Sequence, residues 1–272
     1  MNLFLFALFL VFCSAAKGLL VPQTVSKLQS RVIHSVLPKV YVYDHCPFCV
    51  RVRLALGLKN VKIETVFLAN DDVSTPTSLI NKKAVPIFEW SSGGIPAMPE
   101  SMDIIKKLDA DSRFGVPLFK PFTGRFDDWQ KSSKEACSTA QRPRYMMSPT
   151  LPEFATADAR DTFVRNHPIS GIEKAAWQAL ESSKRWQLYA DSYILSLGQI
   201  DKISASLTEL DKLLHCEHCA TEGGLSLDDV DLWARLRSVT LIKGVVWPTK
   251  LKQYMENLSA LGDVPLMWGL QQ

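Results

Sequence analysis

Asp44-His45-Cys46-Pro47-Phe48-Cys49 follows directly on the apolar run Val40-Tyr41-Val42-Tyr43. Two cysteines with this spacing can share a disulfide across one helical turn, and the pair stands where a strand ends and a helix begins. The first cysteine meets the unpaired backbone N–H groups and the positive end of the helix dipole, which favour a thiolate. The thiolate is the form that attacks a disulfide, so the placement points to thiol–disulfide exchange. Pro47 sets the backbone of the first turn and lacks an N–H that no helix needs there. Cys46 is then the accessible thiol that attacks, and Cys49, one turn in, the buried thiol that resolves. Arg51 and Arg53 lie near enough to add positive potential, or else point to solvent. A zinc site needs about four ligands where one pair supplies two, and the neighbouring His45 points to the opposite face. A metal pair and a pair of inert thiols are the alternatives to redox use.

Two further segments could form a ligand cradle. Val85-Pro86 precedes a strand, and a cis bond there would turn the Val85 N–H and C=O toward a peptide-like ligand beside Cys46; a trans proline at a strand edge is the competing reading. Pro99-Glu100-Ser101 starts a helix. The backbone N–H groups and the Ser101 hydroxyl suit a carboxylate, and Glu100 could meet an ammonium, which together match a γ-glutamyl end; a plain helix cap is the alternative. A second pair, in His215-Cys216-Glu217-His218-Cys219, offers four soft or borderline ligands in five residues. Incidental surface chemistry, a regulatory disulfide and a metal are all open there. Cys137 reads as a helix-face residue.

The elements that must position these groups alternate. Lys39–Tyr43 reads as a strand, Phe48–Leu58 as a helix, Val61–Leu68 as a strand, and Ser74-Thr75-Pro76 as a helix start with a Ser or Thr cap before Pro. Val85–Trp90 and Ile95–Met98 read as strands joined through Ser91-Ser92-Gly93-Gly94, and Glu100–Leu108 as a helix. The order is βαβαββα, with the first two strands parallel across a right-handed crossover. No strand-like stretch follows. Phe126–Thr139, Thr156–Asn166, Ile172–Leu214, Asp228–Lys243 and Pro248–Leu258 read as helical. Ser226 and Asp229 form a capping box, with Leu225 and Val230 placed as a hydrophobic staple. The expected organisation is a leader over 1–38, an α/β thioredoxin-like unit over 39–112, a linker over 113–124 and an all-helical unit over 125–272.

The 272 residues carry 31 Lys and Arg against 28 Asp and Glu. The three basic residues of 1–38 (Lys17, Lys27, Arg31) meet no acid, which leaves 28 basic against 28 acidic side chains in the body. A neutral body gives no electrostatic case for nucleic acid or anionic lipid. Leu3–Phe12 is an unbroken apolar run followed by Cys13-Ser14-Ala15-Ala16, too short to span a bilayer and suited to a cleaved signal over about 1–16. The acid-free stretch 17–38 is transit-like or an unstructured spacer. The leader predicts entry to the secretory pathway, with an ER, secreted or plastid destination and a soluble, monomeric mature form. Six cysteines, four of them in two C-x-x-C pairs, do not form a disulfide framework for a chain of this length.

Tyr43–Cys49, Gly57-Leu58-Lys59-Asn60, Asn70-Asp71-Asp72, Thr75-Pro76-Thr77, Val85-Pro86-Ile87 and Met98–Ile104 together resemble the glutaredoxin 2 family, the bacterial glutaredoxin type built like a glutathione transferase. The likeness runs on through Leu225–Val230, Leu236–Leu241 and Val246-Trp247-Pro248 and covers about 39–258. It implies a thioredoxin-fold domain followed by a helical, glutathione-transferase-like domain. It implies glutathione as cosubstrate, no metal, and reduction of protein disulfides or glutathionylated proteins in cell redox homeostasis. By that resemblance Cys46 is the nucleophile and Cys49 the resolving thiol. Val85, before a cis Pro86, pairs with the glutathione backbone, and Glu100 and Ser101 hold its γ-glutamyl end. Phe48 stands where the family often has Tyr, 168–190 is longer and richer in Trp and Lys, and 215–219 lies outside the family pattern. A glutathione transferase and a non-catalytic scaffold of the same fold are the rival functions.

Overall fold

β1 (Lys39–Val42) alternates half-buried and buried residues, with Val40 and Val42 wholly enclosed, as one strand inside a sheet requires. In the computed structural model, which describes residues 37–92, 94–147 and 150–272, it is one of the two middle strands of a four-stranded sheet. β2 (Glu64–Phe67) pairs with it in parallel, β3 (Ile87–Glu89) antiparallel on its other side, and β4 (Met98–Pro99) antiparallel at the edge. α1 (Pro47–Leu58), α2 (Ser74–Ile80) and α3 (Ser101–Ala110) complete the expected βαβαββα order. Residues 1–36 of the expected leader, Cys13 among them, fall outside the described residues.

The helical part follows: α4 (Asp127–Met147), α5 (Ala157–Asn166), α6 (Lys174–Ala179), α7 (Ser182–Ser196), α8 (Ile200–Leu213), α9 (Leu227–Arg237) and α10 (Thr249–Gly262). No helix among the described residues is long and apolar enough to cross a membrane. The fold is thus a thioredoxin-type unit with a mixed sheet, followed by a helical one.

α1 joins the two. Cys49, Val52, Ala55 and Leu56 enter the core between sheet and α3, while Val50 and Leu54 enter the core of the helical part. A helix buried on both faces has no polar stripe to offer water, and even Arg51 is covered. Its far end crosses α10 so closely that a β-carbon on Gly57 would lie 1.7 Å from the Gly262 carbonyl oxygen. Only glycine permits that approach. The capping box forms as expected: Ser226 N donates to Asp229 Oδ2 at 2.8 Å, and the Ser226 hydroxyl accepts from the Asp229 N–H. Leu225 and Val230 belong to different clusters, so the box rather than a staple organises this helix entry.

Several boundaries differ from the sequence expectation. β4 has two residues rather than Ile95–Met98, because Pro96 has no N–H for a ladder. α2 is capped by Asp72, whose Oδ1 accepts from Thr75 N and Ser74 Oγ at 3.0 Å, and Pro76 is its third residue, not its first. α4 runs past Thr139 through Pro143. Arg144 donates to Ala140 O at 2.6 Å, and burial of Ala140, Tyr145 and Met146 outweighs the proline penalty of about 3 kcal/mol. The stretch expected as one helix over Ile172–Leu214 is three, broken by extended Leu180 and Glu181 and by a 3₁₀ turn at Leu197–Gln199. Trp177 of that stretch is a core residue, its indole N–H donating to Val164 O at 2.7 Å.

Candidate active site

β1 ends at Val42, and Tyr43–His45 turns the chain so that Cys46 caps α1 with extended backbone (φ −76°, ψ 117°) and Pro47 takes the first helical position. Cys46 is partly exposed and Cys49 buried, both as free thiols. Cys46 is pulled down to about 6 by a hydrogen bond from the Cys49 thiol. Burial opposes this, and the His45 charge and backbone N–H groups of Phe48 and Cys49 assist it. Burial, and then the Cys46 sulfur itself, pushes Cys49 well above the ordinary thiol range, while Tyr43 N donates to its Sγ at 3.4 Å. One sulfur is prepared to be an anion and its partner to keep a proton.

Strand register gathers the other predicted residues at this end of the sheet. Tyr41 faces Ile87 and Ile87 faces Pro99, so continuing both ladders by two residues sets Tyr43, Val85 and Ser101 in one row. Val85-Pro86 is cis. Val85 and Cys46 pack against the same core cluster. Glu100 is not a helical residue but the cap position before α3, held at φ 70°, outside the conformations that side chains favour. Its exposed carboxylate accepts from Lys82 Nζ at 2.9 Å, a cation that the sequence reading did not single out. Ser101 is buried, and its hydroxyl accepts from Arg51 Nη1 at 3.4 Å.

Neither arginine points to solvent. Arg51 is 7% exposed, pairs with Asp231 of α9, and lies over the Phe48 ring at 4.8 Å. Arg53 pairs with Asp44. The turn before Cys46 is fastened mainly by helical-part residues that the sequence reading missed. Arg237 Nη1 donates to Asp44 O at 2.7 Å and Nη2 to Asp44 Oδ2 at 3.1 Å, while Ser238 Oγ donates to His45 O at 3.3 Å. Wholly buried Glu153 accepts at Oε1 from both the backbone N (2.8 Å) and Nδ1 (2.6 Å) of His45. The His45 ring sits among Tyr43, Tyr145, Phe154 and Phe163, with centroids 4.9–5.9 Å away. Burial pulls the Glu153 carboxyl upward, but the His45 bonds outweigh it and hold it below the usual carboxylate range. The available signal was weak: charged residues (Arg237, Asp231) inside apolar runs, which need partners when buried.

Beside Pro47 a cleft of about 390 Å³ opens, lined by Gln130, Cys137, Tyr145, Arg235, Ser238 and other residues of the helical part. Burial raises the Cys137 thiol to about 11, which marks it as inert beside Cys46. The structure thus brings together a thiol whose ionisation its surroundings favour, the residues Val85, Glu100 and Ser101 at the same end of the sheet, and an adjoining cleft.

Comparison with known proteins agrees with this architecture. Residues 125–269 match the profile of "Glutaredoxin 2, C terminal domain", and residues 40–113 that of "Glutathione S-transferase, N-terminal domain". Glutaredoxin 2 of Escherichia coli K12 is 34% identical over 233 residues, covering 84% of this chain and 97% of that protein. The crystal structure of glutaredoxin 2 from Salmonella typhimurium in complex with glutathione superimposes with a TM-score of 0.75 at 33% identity, covering 86% of this chain and 99% of that one. The beta-etherase LigF of Sphingobium shares the fold at a TM-score of 0.50 and 14% identity, over 86% of this chain and 98% of the other.

Proposed function

The chain belongs to the glutaredoxin 2 family, and from that premise we propose that it is a glutathione-dependent thiol–disulfide oxidoreductase acting through Cys46 and Cys49. The observation that carries the reading is the division of labour between the two sulfurs: Cys46 drawn down to about 6 at a helix start, Cys49 buried and raised. At neutral pH the Cys46 thiolate attacks the glutathione sulfur of a protein–glutathione disulfide. The protein thiolate leaves, and glutathione is left disulfide-bonded to Cys46. The thiolate of a second glutathione attacks its sulfur, releasing glutathione disulfide and restoring the Cys46 anion. With a protein disulfide, Cys46 forms a mixed disulfide instead. Cys49, on losing its proton, displaces the reduced protein and closes a Cys46–Cys49 bond that two glutathiones reopen.

Val85, Pro86, Glu100 and Ser101 are the proposed glutathione contacts. The first-turn N–H groups of α3, backed by Arg51 and Lys82, suit the γ-glutamyl carboxylate, and Glu100 suits its ammonium. The cleft beside Pro47 receives the disulfide partner. Glutathionylated and disulfide-bonded proteins are the proposed substrates.

The rival is transfer of glutathione to an electrophile. A transferase keeps the glutathione thiolate as nucleophile, activated by a hydroxyl, and has no use for a second cysteine at the helix start. Steady-state turnover of a glutathionylated peptide and of an aryl halide, each with reduced glutathione, separates the two. The expected result is robust reduction of the peptide and conjugation at or near the uncatalysed rate. Efficient conjugation without peptide reduction would overturn the oxidoreductase reading.

A further inference from the structure

The second cysteine pair lies in the loop between α8 and α9. His215 N donates to Ala220 O at 3.0 Å and Cys216 N to Cys219 O at 3.1 Å, so two backbone bonds close a tight loop over 215–220. Asn257 of α10 fixes its tip, donating from Nδ2 to Glu217 O at 2.9 Å. The two sulfurs stand 3.5 Å apart, and one ligand atom from each of His215, Cys216 and Cys219 lies within 4.8 Å of the others.

We propose that His215, Cys216 and Cys219 form a binding site for a thiophilic divalent cation, zinc being the natural occupant, with solvent as fourth ligand. With the sulfurs 3.5 Å apart and no separation above 4.8 Å, a common centre lies within about 2.6 Å of all three atoms, so zinc bonds of about 2.1–2.3 Å need shifts of only about half an ångström or less. Two thiolates on a tetrahedral ion stand roughly 3.8 Å apart, close to the separation seen, whereas a disulfide requires about 2.05 Å and has no use for a converging imidazole. Two thiolates and one imidazole are a borderline-soft donor set that suits zinc rather than magnesium or calcium. Cys219 is only 8% exposed, so of the three donors it is the one the loop holds inside the fold. Half-exposed Cys216 and exposed His215 leave the fourth position open to water.

The test uses the full chain carrying Cys46→Ser and Cys49→Ser, so that the other close pair is silent, reduced with a phosphine and titrated with Co²⁺ and then Zn²⁺. The expected result is one equivalent of Co²⁺ bound with thiolate-to-cobalt charge-transfer and tetrahedral ligand-field bands, displaced by Zn²⁺. Adding Cys216→Ser should weaken affinity by at least about 100-fold and His215→Ala by about 10–100-fold. A readout without loop variants accompanies it: one equivalent of Zn²⁺ should slow alkylation of Cys216 and Cys219, mapped by mass spectrometry. Absence of the bands at one equivalent, or their persistence once Cys216 and Cys219 are both serine, overturns the proposal. So does rapid closure of a Cys216–Cys219 disulfide by glutathione disulfide that Zn²⁺ fails to slow, which would mark the pair as a redox switch.

Discussion

Cys46→Ser is expected to reduce turnover of a glutathionylated peptide to background, a loss of at least about 10³-fold, while Cys49→Ser keeps that activity within a few-fold. Serine at 46 retains the shape of the site but has no anion at neutral pH, so the first covalent step disappears. Cys49 is dispensable where glutathione itself resolves the intermediate. With a protein disulfide the intermediate is a protein–protein mixed disulfide, and the buried sulfur at 49 is the group beside it. Cys49→Ser should therefore slow protein-disulfide reduction by at least about tenfold while sparing the glutathione mixed disulfide. Retention of peptide reduction by Cys46→Ser would remove Cys46 from the mechanism.

Arg237→Met is expected to lower stability by about 3–5 kcal/mol in urea unfolding at pH 7, because one partner of a buried charged cluster is removed. Arg237 is 2% exposed, and besides its two bonds to Asp44 it donates from Nε to Pro265 O at 2.7 Å. Methionine fills much of the space but donates nothing. The Asp44 carboxylate is left to Arg53, and the Pro265 carbonyl loses its guanidinium donor. Activity should fall with stability, since the Asp44–His45 turn sets where Cys46 begins its helix.

The pH dependence follows from the carboxyl of Asp44. Burial raises it, but Arg237 and Arg53 outweigh burial and hold it below its unfolded value. A depressed carboxyl stabilises the fold above its unfolded pKa, about 3.9, and that contribution is lost as pH falls through the lower folded value. The stability gap between the native chain and Arg237→Met should accordingly narrow below about pH 4. A gap that stays constant through that range would show that Arg237 acts only through packing.

The reactive end of the molecule was legible because its determinants are local. Cys46-Pro47-Phe48-Cys49 after an apolar strand states its own geometry, and Ser226-Leu227-Asp228-Asp229 states a helix start. Val85, Glu100 and Ser101 were readable as a candidate cradle, whereas the register that sets Tyr43 level with Val85 and Ser101 is visible only in the paired strands. Glu153, Asp231 and Arg237 were not legible. Each acts on a residue more than a hundred positions away, and nothing in a segment such as Pro152-Glu153-Phe154 distinguishes an acid that will be buried against His45 from one in water. Arg51 shows the same limit from the other side: its role depends on Asp231, which packing rather than spacing brings to it. The split of 172–214 into three helices was likewise hidden, since Leu180 and Glu181 carry no breaker signal.

The central claim is that the fold holds a thiolate at position 46 beside a protonated thiol at 49. The most direct measurement is the rate of Cys46 alkylation by iodoacetamide in the folded, reduced protein across pH 4–10, with the modified residue mapped by mass spectrometry. The account predicts a midpoint near 6 for Cys46, no comparable modification of buried Cys49, and an upward shift of the Cys46 midpoint in Cys49→Ala, which removes the hydrogen bond that most lowers it. A Cys46 midpoint between 8 and 9, that of an ordinary cysteine (about 8.5), would contradict it.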